Sequence, residues 1–128
     1  MKLTKRTDFV LRTLIYLAKQ PEGTRTFLQE IADNYDIPVN HLTKIVHQLG
    51  QLGYINTYRG RGGGMEIGKP LDQIMVKDVI LHFEPNTELV DCSTCLLRKR
   101  SCKLEHHLHI AYEAFLSSLD GVSLADII

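Results

Sequence analysis

The sequence of 128 residues contains no apolar run long enough to form a membrane-spanning helix. Its first eight residues are basic but lack the apolar core of a signal peptide. We therefore expect a cytoplasmic protein without a membrane partner. The sequence also lacks internal repeats and low-complexity segments, and its length suits one ordinary domain with a buried core.

Net charge is absent as well, because fifteen Lys and Arg residues balance fifteen Asp and Glu residues. The whole-chain charge therefore indicates no partner, but the distribution of charge does. Residues 40–69 contain four Lys or Arg residues against one Glu, and residues 2–12 add four more cations. This local basic excess predicts a polyanion-binding face.

Cysteine is scarce, and the three that occur, Cys92, Cys95 and Cys102, fall within eleven residues. An odd count in a cytoplasmic chain argues against structural disulfides and favours thiols or metal ligands. Thiolates suit zinc, copper(I) and iron–sulfur clusters. Three thiols do not complete a tetrahedral site, so another residue, another subunit or a small molecule supplies the fourth ligand, or no site exists.

The spacing of apolar residues predicts three helices in the first half of the chain. The first follows a predicted N-cap region at Thr7 and Asp8, the second covers residues 27–35, and the third covers residues 39–52 and ends at Gly53. Residues 54–58 and 65–68 read as two strands around a basic, glycine-rich loop. A helix-turn-helix followed by such a hairpin is a winged helix, whose commonest use is binding duplex DNA.

The predicted DNA contacts lie on the third helix and on the hairpin. Asn40 and Thr43 are placed to reach base edges, and Lys44 to contact a phosphate. His41 shares this face, and Arg59 and Arg61 are placed to enter a narrow minor groove. Two alternatives are a nucleotide site, disfavoured because the loop lacks a Gly-Lys-Ser/Thr ending, and a purely structural hairpin.

The second half predicts a helix over residues 76–83, an aperiodic cysteine segment, a helix over residues 103–119 and a possible short helix from Ser123. We predict a mainly α protein with a winged helix-turn-helix domain in residues 1–75. Residues 76–128 would form one compact unit of linker helix, cysteine loop and C-terminal dimerisation helix. A homodimer would read the two half-sites of a palindromic operator.

Several motifs together resemble the Rrf2 family of bacterial repressors, and most closely its nitric-oxide-sensing branch, NsrR. They are Lys2-Leu3-Thr4; Thr7-Asp8 with Leu11-Arg12 and Leu14-Ile15; Asn40-His41-Leu42 with Lys44; Leu49-Gly50-Gln51-Leu52-Gly53-Tyr54; Arg59-Gly60-Arg61-Gly62-Gly63-Gly64; and the Ser123-Leu124-Ala125-Asp126 ending. The resemblance implies a DNA-binding repressor, not an enzyme. It also implies an iron–sulfur cluster on Cys92, Cys95 and Cys102, 4Fe–4S in preference to 2Fe–2S, and nitric oxide as the effector.

The resemblance offers two sources for the fourth ligand. In the nitric-oxide-sensing branch it is an N-terminal aspartate of the partner subunit, and Asp8 stands at the matching position. In the cluster-biogenesis branch, IscR, it is a histidine three residues after the last cysteine, where this sequence has Glu105. The alternative role for Asp8 is that of a helix N-cap.

One departure from the family pattern leaves other chemistry open. Family members with clusters space their first two cysteines more widely than Cys92 and Cys95, which only two residues separate. A tight Cys-x-x-Cys pair also suits zinc or thiol redox chemistry. The alternatives are therefore a zinc-binding or thiol-based repressor of the same fold, or a redox or interaction module without DNA binding. The arginines of the hairpin favour DNA binding.

Overall fold

The computed structural model describes residues 1–86, 88–96 and 102–128. These ranges contain five helices and one hairpin, in chain order α1 Lys5–Ala18, α2 Leu28–Tyr35, α3 Val39–Gln51, β1 Ile55–Tyr58, β2 Gly64–Ile67, α4 Val76–Phe83 and α5 Lys103–Ser117. Short 3₁₀ turns occupy Leu71–Gln73 and Leu124–Ile127. The predicted mainly α winged-helix fold is confirmed. Within the described ranges, no helix has the length and apolar character needed to cross a bilayer.

Helix α1 starts earlier than its sequence pattern predicts. Thr4 is the N-cap, and its hydroxyl accepts a hydrogen bond from the Thr7 backbone N–H at 3.3 Å. The carboxylate of Glu84 accepts from both the backbone N–H and the hydroxyl of Thr4, at 2.8 and 3.0 Å. The predicted N-cap at Thr7 and Asp8 is therefore wrong, because a contact 80 residues along the chain fixes the helix start at Thr4.

The core forms where the apolar stripes of α1, α2 and α3 meet. Its fully buried side chains include one or two from each helix: Val10, Leu14, Ile31, Leu42 and Leu49. Burying one such side chain contributes about 1.5–3 kcal/mol to folding. Val79 and Phe83 of α4, together with Leu124, belong to the same cluster. Helix α4 and the C-terminal turn therefore pack directly on the helix-turn-helix.

The hairpin is antiparallel, with Ile55 opposite Ile67 and Tyr58 opposite Gly64. The loop between α1 and α2 adds a short bridge, in which Thr26 and Met65 exchange two backbone hydrogen bonds of 2.9 and 2.8 Å. Gly64 has a φ of +106°, and a Cβ added there would lie 2.9 Å from the Thr26 carbonyl oxygen. Glycine at this position therefore permits the hairpin to approach the loop.

Helix α5 buries little of its surface within the chain. Only Tyr112 and Leu116 are buried among its described residues, whereas Leu104 is 63% and Ile110 50% exposed. The chain after α5 returns to the segment before α4, since the Val76 N–H donates to the Val122 carbonyl at 3.0 Å. The C-terminal end of α5 is thus held against the rest of the chain, while Leu104 and Ile110 remain open to solvent.

Candidate nucleic-acid interface and cysteine segment

The exposed face of α3 carries the predicted DNA-reading residues. Asp36, with a φ of +52°, ends α2, and Pro38 precedes α3, so the two helices are joined by a short turn. The apolar face of α3 is buried in the core. Four predicted residues lie on the other face and are exposed: Asn40, His41, Thr43 and Lys44. The Thr43 hydroxyl donates a hydrogen bond to the Val39 carbonyl at 2.8 Å, so the hydroxyl oxygen can still accept a hydrogen bond.

The hairpin continues this surface, because His47 and Gln51 of α3 line one cleft with Asn56 and Tyr58 of β1. Arg59 and Arg61 are both exposed at the hairpin tip. The tip is closed by a hydrogen bond of 2.9 Å from the Gly63 N–H to the Gly60 carbonyl. Gly60 and Gly62 have φ values of +76° and +72°, which favour glycine. The two guanidinium groups therefore project from a tight, glycine-built loop.

Arg25 contacts this hairpin, and sequence reasoning missed it. Its guanidinium lies 3.2 Å from the centroid of the Tyr58 ring, and its Nη1 donates to the Gly62 carbonyl at 3.0 Å. The Tyr58 hydroxyl donates to Glu66 at 2.7 Å, and this hydrogen bond raises the pKa of Tyr58. Because 37 residues separate Arg25 from Gly62, no local sequence pattern signals the contact.

The cysteine segment holds three thiols that are not joined by disulfides. Cys92 and Cys102 are half-buried, Cys95 is exposed, and the Cys95 N–H donates to the Cys92 carbonyl at 3.3 Å. Burial raises the pKa of Cys92, and the negative charges of Glu105, Cys95 and Cys102 raise it further. Cys92 is thus within electrostatic reach of the other two cysteines. Residues 97–101 of the predicted cysteine loop lie outside the described residues.

Asp8 lies in the first turn of α1, where it is paired with Arg12. Its carboxylate accepts a hydrogen bond from the Arg12 Nε at 2.8 Å and remains half-exposed. The N-cap alternative for Asp8 is wrong, since Thr4 caps the helix. Its predicted role as a ligand to a partner's cluster stays a prediction.

Comparisons with known proteins identify the family. A family model described as Rrf2, iron-dependent transcriptional regulator, matches residues 3–128. The chain belongs to the Rrf2 family. This Rrf2 regulator is similar to the structure of CymR (YrzC), the global cysteine regulator of B. subtilis, at 25% identity, over 99% of this chain and 95% of that one, with a TM-score of 0.76.

Two further structures share the fold of this Rrf2 regulator. The oxidized form of Staphylococcus aureus CymR is 23% identical, over 99% of this chain and 95% of that chain, with a TM-score of 0.79. T. potens IscR is 19% identical, over 99% of this chain and 85% of that chain, also with a TM-score of 0.79. The family model thus identifies a transcriptional regulator of the Rrf2 family, and the two structures share its winged-helix fold.

The cysteines of this Rrf2 regulator fit an iron–sulfur cluster or zinc by the chemistry of their donors. The neighbouring negative charges that raise the pKa of Cys92 would be offset by a bound cation, and thiolates are ligands that suit both groups. Among the described residues of one chain, however, no three His, Cys, Asp or Glu side chains lie close enough together to hold a metal ion. Cys92, Cys95 and Cys102 thus supply suitable ligands without a preformed coordination geometry in this part of the chain.

Proposed function

We propose that this Rrf2 regulator is a homodimeric repressor that binds a palindromic operator in double-stranded DNA. The observation that carries the proposal is the continuous polar surface formed by the exposed face of α3 and the arginine-tipped hairpin. Helix α3 would enter the major groove, where Asn40 and Thr43 reach base edges and Lys44 a phosphate. Arg59 and Arg61 would enter the adjacent minor groove.

The homodimer is supported by the open face of α5. Leu104 and Ile110 are large apolar side chains that a single chain leaves at least half exposed. Pairing of α5 with its copy would bury them and hold two copies of α3 at a fixed separation. Half-sites in such operators lie one helical turn apart, about 34 Å, or multiples of it.

The test of DNA binding begins with selection of duplexes from a random library by the wild-type protein. We expect an inverted repeat whose half-sites are separated by whole helical turns, because a symmetric dimer reads symmetric DNA. The Arg59→Ala, Arg61→Ala double variant should lose specific binding and keep the melting temperature of the wild type. Failure of the wild type to enrich any sequence, or full operator affinity in the double variant, would contradict the proposal.

We further propose that Cys92, Cys95 and Cys102 hold an iron–sulfur cluster, 4Fe–4S in preference to 2Fe–2S, through which nitric oxide is sensed. The iron dependence in the family's description and the resemblance to the NsrR branch support this assignment. A bound cluster supplies iron that nitric oxide can attack. The chain's own residues supply three thiolates and, through the bonds between Thr4 and Glu84, a direct connection from the segment after α4 to the start of α1.

This sensor assignment is tested on protein purified without oxygen. We expect a brown sample with iron and acid-labile sulfide, and loss of both in Cys102→Ala, because removal of one of few ligands leaves labile metal. Nitric oxide should change the visible absorption and weaken operator binding together. A colourless wild type that contains zinc, or full iron retention in Cys102→Ala, would remove the cluster assignment.

A zinc-binding or thiol-based regulator is the second candidate, and the exposed position of Cys95 near Cys92 favours it. The B. subtilis relative is a global cysteine regulator, which points to a signal in thiol chemistry. If this candidate holds, oxidant alone should change operator affinity in iron-free protein, and dithiothreitol should reverse the change. An unchanged affinity would exclude the thiol switch.

A further inference from the structure

The four cations near the N-terminus lie in three different environments. Arg12 is paired with Asp8 at 2.8 Å. Lys2 lines a cavity that also contains the carboxylates of Glu84 and Glu88. Lys5 and Arg6, by contrast, are exposed on the first turn of α1 and face α3. The structure thus separates two cations that have carboxylates nearby from two that border the predicted DNA surface.

Lys5 and Arg6 line a crevice of about 260 Å³ between α1 and α3. Its six lining residues contain three cations, one imidazole, two apolar side chains and no carboxylate: Lys5, Arg6, Phe9, His41, Lys44 and Ile45. His41 and Lys44 belong to the exposed face of α3. The crevice therefore has positive charge at its edge, next to the residues that would read bases.

The guanidinium of Arg6 is held in place from two sides. Its Nη2 donates to the side-chain carbonyl of Gln48, and its Cζ lies 6.0 Å from the centroid of the Phe83 ring. These contacts join α1 to α3 and to α4. A guanidinium that is already ordered loses less side-chain entropy when it binds an anion.

We propose that this crevice binds a backbone phosphate of DNA, with Lys5 and Arg6 of α1 acting together with Lys44 and His41 of α3. The inference deepens the proposed DNA-binding function and rests on it. With α3 in the major groove, the phosphates at the edge of the groove lie beside its N-terminal turns, where the crevice opens. One phosphate bound between α1 and α3 would fix the angle at which α3 enters the groove.

The test is the salt dependence of binding to a random-sequence duplex and to the selected operator. The plot of log affinity against log salt has a negative slope, and each lost phosphate contact reduces the magnitude of this slope by about 0.9. Lys5→Ala should therefore flatten the slope by about one and weaken binding to both duplexes roughly tenfold at about 0.1 M salt. Lys5→Arg should restore the slope, because it restores the charge.

Two matched controls remove one positive charge from α1 outside the crevice. Lys19→Ala changes an exposed lysine at the other end of the helix, and Arg12→Ala changes the arginine that is paired with Asp8. Both should keep the slope of the wild type. Arg6→Ala also loses contacts to Gln48 and Phe83, so its melting temperature is measured alongside, and Lys5→Ala decides the outcome.

The outcomes separate this inference from the proposed function. If the wild type binds its operator but Lys5→Ala has the slope of Lys19→Ala, the phosphate site is wrong and DNA binding stands. If the wild type binds no DNA, the proposed function fails first. The alternative ligand of the crevice is a free phosphate ion. It is tested by titration with inorganic phosphate, with NMR shifts followed at Lys5 and Lys44. Shifts there together with an unchanged DNA slope would make the crevice a site for a free anion and overturn the inference.

Discussion

At the scale of single residues, the positions of the side chains proposed to contact DNA depend on neighbouring residues that are not proposed to contact it. Arg59 and Arg61 stand on a glycine loop whose conformation is held by Arg25 through the Tyr58 ring and the Gly62 carbonyl. A cation over an aromatic ring contributes about 0.5–1 kcal/mol when exposed, and a hydrogen bond about as much. Arg25 is therefore a positioning residue for the hairpin.

Replacing Arg25 by Ala or by Lys should weaken operator binding by about tenfold, which corresponds to about 1.4 kcal/mol. Lysine keeps the charge but has neither the planar group that stacks on Tyr58 nor the fork that reaches Gly62. Operator affinity by fluorescence anisotropy measures the loss. Tyr58→Phe is the matched control, since it keeps the ring and removes only the bond to Glu66.

The same substitution is then made in the Arg59→Ala, Arg61→Ala background. The residual affinity of that background for DNA is measured at low salt, and Arg25→Ala should not lower it further, because the arginines that it positions are gone. Full affinity in Arg25→Lys, or additive losses in the triple variant, would show instead that Arg25 contacts a phosphate through its charge alone.

At the scale of helices and strands, local pattern predicted the elements whose boundaries are set locally. The stripe of Leu42, Ile45 and Leu49 predicts α3 to within one residue at its end, and the helix predicted over residues 76–83 coincides with α4. The start of α1 was missed because it depends on Glu84. The bridge between Thr26 and Met65 was missed for the same reason, since it joins segments far apart in sequence.

Thr4→Ala should lower the free energy of unfolding by about 1–2 kcal/mol, because it removes the N-cap of α1 and the hydroxyl bond to Glu84. Chemical denaturation at neutral pH measures the change. Thr24→Ala, an exposed threonine in the loop before α2, is the matched control and should unfold like the wild type. Equal stability of Thr4→Ala and Thr24→Ala would mean that water replaces the cap without cost.

The hydrogen bonds of Asp126 in the C-terminal turn predict that the stability of the fold depends on pH. Its carboxylate accepts hydrogen bonds from the backbone N–H and the hydroxyl of Ser123, both at 2.8 Å, and these bonds lower its pKa below the ordinary 3.8. A carboxylate with a lowered pKa stabilises the fold at pH values above its ordinary pKa. This contribution is lost as the pH falls through the lowered pKa. Asp126→Asn should therefore be less stable than the wild type at pH 7.

Urea unfolding of both proteins between about pH 7 and pH 2.5 follows this carboxylate through its titration. The two stabilities should converge as the pH falls, because protonation removes from the wild type the charge that the variant already lacks. A difference that stays constant over the whole range would show that the charge of Asp126 contributes nothing and that only its shape matters.

At the scale of the whole molecule, sequence periodicity predicts which residues of α3 share an exposed face, but it does not predict how the three cysteines are arranged. Asn40, His41, Thr43 and Lys44 share one exposed face because helical periodicity fixes their direction. The proposed coordination by Cys92, Cys95 and Cys102 would depend on a cofactor and on a second subunit, and neither is encoded in a local pattern. The proposed pairing of α5 with its copy would likewise depend on a second subunit and is not encoded in a local pattern.

Ile110→Lys should shift the protein from dimer to monomer, because it places a charge on the open apolar face of α5. Sedimentation velocity measures the change, and operator binding should weaken in parallel, since one α3 reads only one half-site. Lys103→Ala, at the exposed start of the same helix, is the control and should stay dimeric. A dimeric Ile110→Lys protein would place the interface elsewhere.

Asp8→Ala tests whether α1 of one subunit reaches the cysteines of the other. Asp8 is not the N-cap of α1, and its ion pair with Arg12 is exposed. The melting temperature of Asp8→Ala should therefore differ little from that of the wild type. If Asp8 is a ligand, Asp8→Ala should bind iron yet lose it faster to a chelator and react with nitric oxide at a different rate, because water or a thiol then occupies its position. Arg12→Ala is the matched control, since it breaks the ion pair and leaves the carboxylate available. Equal chelator and nitric oxide rates in Asp8→Ala, Arg12→Ala and the wild type would exclude Asp8 as a ligand and leave the fourth position to another group.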